Sequence, residues 1–314
     1  RPFENITIQL GSNVVFALPD DAGGEGGVMQ HMLNQLDGLG VGYPLAIGAV
    51  AGAAPDRAFI PVQLVFHAGV YPRRNNGLLN PFDLSAIIPV KAKGGANLLW
   101  RTNTNAVIDD TVTLSSGTLR VSASRVLGNE MEIVQAMAEQ GLTDLLAAAG
   151  CRALTPAWET DVQIMTATWA NFGLRLNAKN QGFLKRVTFL AQDATGTRPA
   201  RAQDELTDLR LVVPGRQKVY FQQSVNNISA HLPVGTQLSA DDVNAYGGSA
   251  AKGFFPKDLR TYGENELERV LGLDLRLASP DAVQWGQTIG TYASGDDVLV
   301  LSEKLIPYTG PFAT

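Results

Sequence analysis

The stretch Leu209-Arg-Leu-Val-Val213 decides how this chain folds, because apolar side chains stand at every second position. A period of two places one set of side chains on the buried face of a β-strand and the other set on the opposite face. The same spacing recurs along the whole chain, at Ile6, Ile8 and Leu10, at Val14, Phe16 and Leu18, at Val62, Leu64 and Phe66, at Leu119 and Val121, at Phe172, Leu174 and Leu176, and at Leu271, Leu273, Leu275 and Leu277. Each half is therefore predicted to close into a β-sandwich or barrel.

One amphipathic helix separates the two series of strands. Asn129 is predicted to cap it, with Glu132 in a capping-box arrangement, and Gly150 is predicted to end it. Gly141 either kinks this helix or divides it into two shorter ones. The sequence predicts that its apolar stripe packs against barrel surface, through Ile133, Val134, Met137 and Leu145.

Just beyond the helix, Leu154-Thr-Pro156 is typical of an extended connector, since the residue before a proline avoids helical geometry. We therefore expect an N-terminal domain with helical insertions over residues 1–152 and a C-terminal domain over 153–314. In the second domain the clearest predicted strands are 183–192, 206–213, 268–278 and 297–306. In the first, a helix at 28–36 follows the opening strands, and further strands are predicted at 59–67, 85–91, 97–103, 107–114 and 118–126.

The composition favours a structural protein over an enzyme. The 314 residues carry a formal net charge of only −5, which supplies no field for gathering nucleic acid, so direct nucleic-acid binding is not expected. Charged residues make up 18% of the chain, below the usual quarter or so, and such a surface suits coverage by neighbouring molecules. Abundant glycine and proline fit many tight turns between short strands.

The cysteine count and the hydropathy pattern exclude further kinds of site and of protein. The single cysteine, Cys151, excludes an intrachain disulfide and a cysteine-rich metal site. The longest apolar stretch, 41–54, is broken by glycine and proline and is too short to cross a bilayer. A soluble mature chain is the expectation, with Arg1 suggesting that an initiator methionine or a longer leader is missing.

Residue types that carry chemistry are scattered. No phosphate-binding loop, HExxH, CxxC or GxSxG motif occurs, and the three histidines, His31, His67 and His231, lie far apart in the sequence. Four pairs of neighbouring carboxylates occur, at Asp20-Asp21, Asp109-Asp110, Asp241-Asp242 and Asp296-Asp297. They are predicted at strand ends or in loops, where turn capping explains them. A calcium site at 241–242 or 296–297 is the alternative. No catalytic, cofactor-binding or metal-ligating residue is predicted, and no cofactor.

Three runs in the second half resemble a known family. They are Gly182-Phe-Leu-Lys-Arg-Val-Thr-Phe-Leu-Ala-Gln-Asp193, then Phe255-Pro-Lys-Asp-Leu-Arg-Thr-Tyr-Gly-Glu-Asn265 before the run 270–277, and Val298-Leu-Val-Leu-Ser-Glu-Lys-Leu-Ile-Pro307. They resemble a barrel strand, a late loop with the penultimate strand, and the final strand of double jelly-roll major capsid proteins. These proteins build tailless icosahedral viruses, typified by membrane-containing bacteriophages and adenovirus.

The resemblance implies an all-β fold of two jelly-roll barrels in tandem, with short helices in the connecting loops. It also implies a homotrimer of pseudo-hexameric outline that self-assembles with neighbouring capsomers into an icosahedral shell. Vertex proteins and an internal lipid membrane are further partners that it implies. The expected location is the virion, after assembly in the host cytoplasm.

A second hypothesis comes from a different class of protein. A two-domain β-sandwich that binds or cleaves glycans would bring acidic loops and tryptophans together at one edge. The four tryptophans, Trp100, Trp158, Trp169 and Trp285, are spread over both halves, which favours core and interface packing instead. The sequence therefore favours the capsid hypothesis.

Overall fold

The structure is a computed structural model that describes residues 3–10, 13–18, 84, 87, 95–102, 126–164, 169–173, 182–192, 206–213, 218–224, 254–277, 284–289 and 295–312. The helix predicted at 28–36 and the strands predicted at 59–67 and 107–114 lie outside these residues. The strands predicted at 85–91 and 118–126 also lie outside them, apart from single positions.

The first half contributes a three-stranded antiparallel sheet of β1 (Phe3–Leu10), β2 (Asn13–Leu18) and β3 (Ala96–Thr102). Strand β1 lies in the centre, with Ile8 opposite Phe16 of β2 and Ile6 opposite Trp100 of β3. The alternating residues that open the sequence therefore form strands, as predicted.

Two short helices follow, α1 (Glu130–Glu139) and α2 (Thr143–Ala148). Gly141 stands between them with φ of 70°, a left-handed conformation that ends a helix and that glycine adopts without a Cβ penalty. Of the two outcomes left open by the sequence, Gly141 thus divides the helix.

The second half forms two antiparallel sheets. The first contains β4 (Ala153–Ile164), β6 (Phe183–Gln192), β9 (Phe254–Asp258) and β12 (Asp297–Tyr308), and the second contains β5 (Trp169–Gly173), β7 (Leu206–Val213), β8 (Lys218–Ser224) and β11 (Gln284–Ile289). Their strand orders are β4-β12-β6-β9 and β5-β11-β7-β8. The two-residue strand β10 (Leu273–Asp274) pairs with the start of β6, on the edge that β9 also uses.

The two sheets face each other across one core. The rings of Phe189 on β6 and Trp285 on β11 lie 5.4 Å apart between centroids, and neither side chain reaches solvent. Around them every second residue of the flanking strands is buried, namely Val187, Leu209, Leu211, Val213, Val298 and Val300. The first sheet has five strands with the short β10 at its edge, the second has four, and the eight longer strands in this order make a jelly roll.

One predicted strand is wrong and two strands were not predicted. Residues 268–278, whose leucines alternate, instead form the end of helix α3 (Glu266–Leu271), then β10, then a 3-10 turn at Leu275–Leu277. A helix forms here because the Asn265 side chain accepts a hydrogen bond from the backbone N–H of Glu268 and so caps the helix start. Strands β9 and β11 were missed because proline and glutamine interrupt their alternation.

Candidate functional site

Helices α1 and α2 cover one end of the sheet formed by β4, β12, β6 and β9. Their inward side chains, Ile133, Met137, Leu142 and Leu146, form one buried cluster with Leu154, Phe183, Leu271 and Leu305. On β12, Leu305 and Val300 lie on opposite faces, since successive residues of a strand alternate. The helices therefore pack on the outer face of the sheet, while Val300 points to the core.

The start of α1 is fixed by reciprocal hydrogen bonds. The backbone N–H of Asn129 donates to Glu132 Oε2 at 2.8 Å, and the backbone N–H of Glu132 donates to Asn129 Oδ1 at 3.0 Å. This is the capping box predicted from the sequence, and it satisfies backbone donors that a helix start leaves free.

The predicted packing of the helical stripe is correct in part. Ile133 and Met137 are buried and Leu145 is partly buried against the same cluster. Val134 was predicted to be buried and is 44% exposed, so this prediction is wrong. The reason is geometric, since Ile133 and Met137 share a helix face at i and i+4 and Val134 lies about 100° away from Ile133 around the axis.

The segment after β12 folds back onto the helices. Phe312 is buried in the same cluster, its ring lies beside that of Tyr308, and the Arg152 guanidinium stands 5.0 Å above its centroid. Arg152 also pairs with Glu130 of α1, and its amide donates to the Tyr308 carbonyl at 2.8 Å. Arg152 thus ties α1, the start of β4 and the end of β12 together.

Arg276 connects the end of α2 to β10 and β6 in a similar way. Its Nε and Nη2 donate to the two oxygens of Asp274 at 2.9 and 2.8 Å, and Nη1 donates to the Ala149 carbonyl. The guanidinium also stacks 4.5 Å from the Phe183 ring centroid. A cation at the C-terminal end of a helix stabilises the unpaired carbonyls there.

A buried ion pair lies beside the apolar cluster. Lys185 Nζ donates to Glu303 Oε1 at 2.8 Å, and Arg186 Nε stands 3.7 Å from Glu303 Oε2. Strands β6 and β12 shift register between Glu303 and Lys304, which leaves Lys185 as the extra residue of a β-bulge. The bulge explains how Lys185 and Arg186, neighbours in sequence, both approach one carboxylate.

The same face of the sheet carries a second ion pair. Asp258 on β9 is opposite Arg186 on β6, and its two oxygens accept hydrogen bonds from Arg260. Burial alone would raise the pKa of Glu303, but the charges of Lys185, Arg186 and Arg260 outweigh it and hold that pKa below its usual value. The pKa of Asp258 is also lowered, because hydrogen bonds and charge from Arg260 overcome the effect of burial.

Two further titratable groups are the buried Glu268 and the partly buried Cys151. Glu268 accepts hydrogen bonds from the amides of Glu264 at 3.0 Å and Asp274 at 3.1 Å, so its carboxylate holds the turn around α3 together. Burial raises the pKa of the Cys151 thiol to about 11, which keeps it protonated and unreactive near neutral pH. Glu268 therefore supports the fold of the described residues, and Cys151 offers no thiolate.

The candidate chemical side chains lie partly outside and partly inside the described part of the chain. His31, His67, His231 and the pairs Asp20-Asp21, Asp109-Asp110 and Asp241-Asp242 lie outside the described residues. Asp296 is buried just before β12, and among the described residues no three metal-ligating side chains come together. Trp285 packs in the core as expected. No local pattern indicates the Lys185–Glu303 pair, whose partners are 118 positions apart.

An exposed apolar ridge runs along the outer side of α1. Met131 is 78% exposed and Leu127 is 77% exposed, with Val126 and Val134 beside them. Met131 and Val134 are three residues apart and share one face of α1, whereas Val126 and Leu127 precede the helix. Because α1 is anchored by its opposite side, this ridge is held outward on a fixed support.

No helix within the described ranges has both the length and the apolar character needed to cross a membrane.

The whole chain resembles a solved viral capsid protein. The crystal structure of the major capsid protein of Sulfolobus Turreted Icosahedral Virus superposes with a TM-score of 0.53 at 15% sequence identity, over 98% of this chain and 79% of that one. This superposition confirms the predicted fold class, two jelly rolls in tandem with short helices between strands.

Two further structures match less closely. The PBCV-1 virus capsid gives a TM-score of 0.43 at 8% identity, over 96% of this chain and 80% of that one. A chain of the atomic structure of Sulfolobus Turreted Icosahedral Virus gives 0.34 at 15% identity, over 53% and 45%. The fold assignment rests on the first superposition alone. No protein-family model matches the sequence, and no curated protein matches it.

Proposed function

We propose that this chain is a viral major capsid protein that assembles with copies of itself into an icosahedral shell. The single observation that carries the proposal is the superposition over 98% of the chain on a major capsid protein of the double jelly-roll fold. The described part of the chain agrees with such a role, because the buried charged groups of Lys185, Glu303 and Glu268 make structural hydrogen bonds. The structural neighbours give no support to the glycan-binding alternative.

The proposal extends to a homotrimer with a pseudo-hexameric outline. Two similar barrels per chain and three chains give six similar corners, which suits a hexagonal lattice. An assembly of this kind buries more than about 2,000 Å² per pair of subunits. Vertex proteins, an internal membrane, a bacterial host and assembly in the host cytoplasm remain proposals that rest on the sequence resemblance.

We also propose that the two domains meet at residues 152 and 153. Strand β4 begins at Ala153, directly after the helices, and it runs without interruption to Ile164. The helices α1 and α2 would then belong to the N-terminal domain in sequence while packing on the C-terminal barrel. We propose a structural role without catalysis for both domains.

Sedimentation velocity and negative-stain imaging of the purified, folded chain test the proposal. Trimers with a six-cornered outline, or closed shells, are the expected result. A folded chain that stays monomeric at micromolar and higher concentrations, or that binds a glycan array as a monomer, would contradict it.

A further inference from the structure

We propose that Leu84 and Ile87, which we call the anchor pair, couple the N-terminal sheet of β1, β2 and β3 to the C-terminal barrel. Local unfolding of that sheet then includes the release of the anchor pair from its site between α1 and β4. This inference goes beyond the proposed function, because it concerns each single copy and does not depend on self-assembly.

Three hydrogen bonds hold the backbone of the anchor pair. The backbone N–H of Leu84 donates to Gln140 Oε1 at 3.0 Å, and that of Ile87 donates to the Leu154 carbonyl at 2.9 Å. The Thr155 hydroxyl donates to the Ile87 carbonyl at 3.2 Å. The groups that receive the anchor pair therefore belong to the end of α1 and the start of β4, far away along the chain.

The side chains of the anchor pair reach the apolar cluster on which α1 packs. Leu84 is 6% exposed and belongs to the cluster, together with Met137 and Leu154, and Ile87 is partly buried against it. Truncating a side chain at such a site loses apolar burial and leaves a cavity. Leu84 is thus held through both its backbone and its side chain.

The edge of β4 that receives Ile87 is unsuited to a regular strand. Leu154 directs its carbonyl to Ile87, and its partner on β12 is Pro307, which has no N–H to donate. Backbone groups of alternate residues point to the same edge of a strand, so the nitrogen of Pro156 also faces this edge and has no hydrogen. The Thr155 hydroxyl supplies a donor in place of the missing ladder hydrogen bond.

The anchor pair and the N-terminal sheet hold the same strand of the barrel. Ala96, the first residue of β3, follows Ile87 closely along the chain. Cα atoms of β2 also come within 8 Å of Cα atoms of β4. Strand β4 therefore has β12 on one edge and the anchor pair on the other, with β2 nearby. Release of the anchor pair removes part of the contact between the N-terminal sheet and the barrel.

Hydrogen exchange of the full chain, followed by mass spectrometry, tests the coupling. The double variant Gln140→Ala/Thr155→Val removes two of the three hydrogen bonds and changes no residue of the N-terminal sheet. One net hydrogen bond alters an opening equilibrium by about fivefold, so exchange in β1, β2 and β3 should accelerate at least about fivefold. Strands β6 and β7 should exchange within about twofold of the wild-type rate, since their opening does not involve the anchor pair.

Matched variants separate the coupling from a general loss of stability. Glu139→Ala/Thr143→Val makes similar changes at exposed neighbouring positions and should exchange like wild type. Leu84→Ala releases the anchor pair from its other side and should also accelerate exchange in β1, β2 and β3 at least about fivefold. Leu99→Ala, at an exposed position of β3, is its control. Circular dichroism shows that each variant is folded.

Faster exchange in the N-terminal sheet, with wild-type exchange in β6 and β7, supports the coupling. Three results would overturn it: wild-type exchange in β1, β2 and β3 of Gln140→Ala/Thr155→Val, equal acceleration there and in β6 and β7, or the same acceleration in Glu139→Ala/Thr143→Val. The exchange is measured below the concentration at which copies associate. A failed coupling therefore leaves the proposed function standing, and a chain that never assembles leaves the coupling standing.

Discussion

Lys185 Nζ and Glu303 Oε1 lie 2.8 Å apart, and only 4% and 2% of their side chains reach solvent. Two charges removed from water cost free energy unless each neutralises the other. The contact joins β6 to β12, so the sheet on which α1 and α2 pack contains a buried ion pair beside its apolar cluster. We call the pair of Lys185 and Glu303 the clamp.

Breaking one side of this clamp should destabilise the protein. Glu303→Gln leaves the Lys185 ammonium buried without its counter-ion, and we expect a loss of about 3 to 5 kcal/mol in the free energy of unfolding. The double variant Lys185→Met/Glu303→Gln should lose clearly less. Urea unfolding measures both, with Glu139→Gln on the exposed side of α1 as a control expected within about 0.5 kcal/mol of wild type. Equal losses in the single and the double variant would contradict the clamp.

Stability should fall in acid because of the same carboxylates. The folded pKa values of Glu303 and Asp258 lie below their ordinary values of 4.5 and 3.8. The unfolded chain therefore binds protons at a higher pH than the folded chain does. The stabilisation is complete above about pH 4.5 and is lost as the pH falls through the folded pKa values. Thermal unfolding between about pH 2 and 6 should show this loss, with a shallower slope in the Lys185→Met/Glu303→Gln variant, and equal slopes would count against it.

Neighbouring leucines of α2 should respond differently to truncation. Leu146 is buried, so Leu146→Ala should cost about 2 to 5 kcal/mol. Leu145 is only partly buried, and Leu145→Ala should cost less. Val134→Ala, on the exposed ridge, should stay within about 0.5 kcal/mol of wild type in unfolding. If Val134→Ala destabilised the isolated chain as much as Leu146→Ala, the described orientation of the helices would be incorrect.

Gly272 should tolerate no side chain. Its φ is 108°, and an added Cβ would overlap the backbone of Leu184 and Lys185 on β6. Gly95 has φ of 118° and open space around the same position, so Gly95→Ala isolates the conformational strain. We expect Gly272→Ala to destabilise by clearly more than the roughly 1 kcal/mol typical of such backbone effects, and by more than Gly95→Ala. Chemical denaturation of the two variants provides the comparison, and similar midpoints would mean that the backbones do not approach so closely.

Local patterns in the sequence predict much of the second barrel. Strands β6 and β7 have the predicted bounds, because uninterrupted alternation specifies a strand that is buried on one face. The capping box at Asn129 was equally readable, since all its partners lie within four residues. The leucine run at 271–277 misled because helix, short strand and 3-10 turn there each bury leucines at a two-residue spacing.

Long-range relationships left no local signal. The ion pair of Lys185 and Glu303 depends on a β-bulge that shifts register between two strands, and no spacing along the chain encodes that shift. The exposure of Val134 depends on which side of α1 the barrel meets. A hydrophobic stripe indicates an amphipathic helix, but it does not separate the side chains that are buried in the fold from those that stay exposed.

The central position of β12 has a consequence for synthesis. This strand pairs with β4 along its whole length and with β6 on its other side, yet both partners emerge from the ribosome long before residues 297–308 do. Until then the facing edges of β4 and β6 have unpaired backbone groups, which makes a partly translated chain prone to aggregate. The apolar cluster on which α1 packs also includes Leu305 and Phe312. We therefore expect only chains translated through these residues to pack α1 and α2 on a finished sheet, so nascent fragments would lack this part of the native surface.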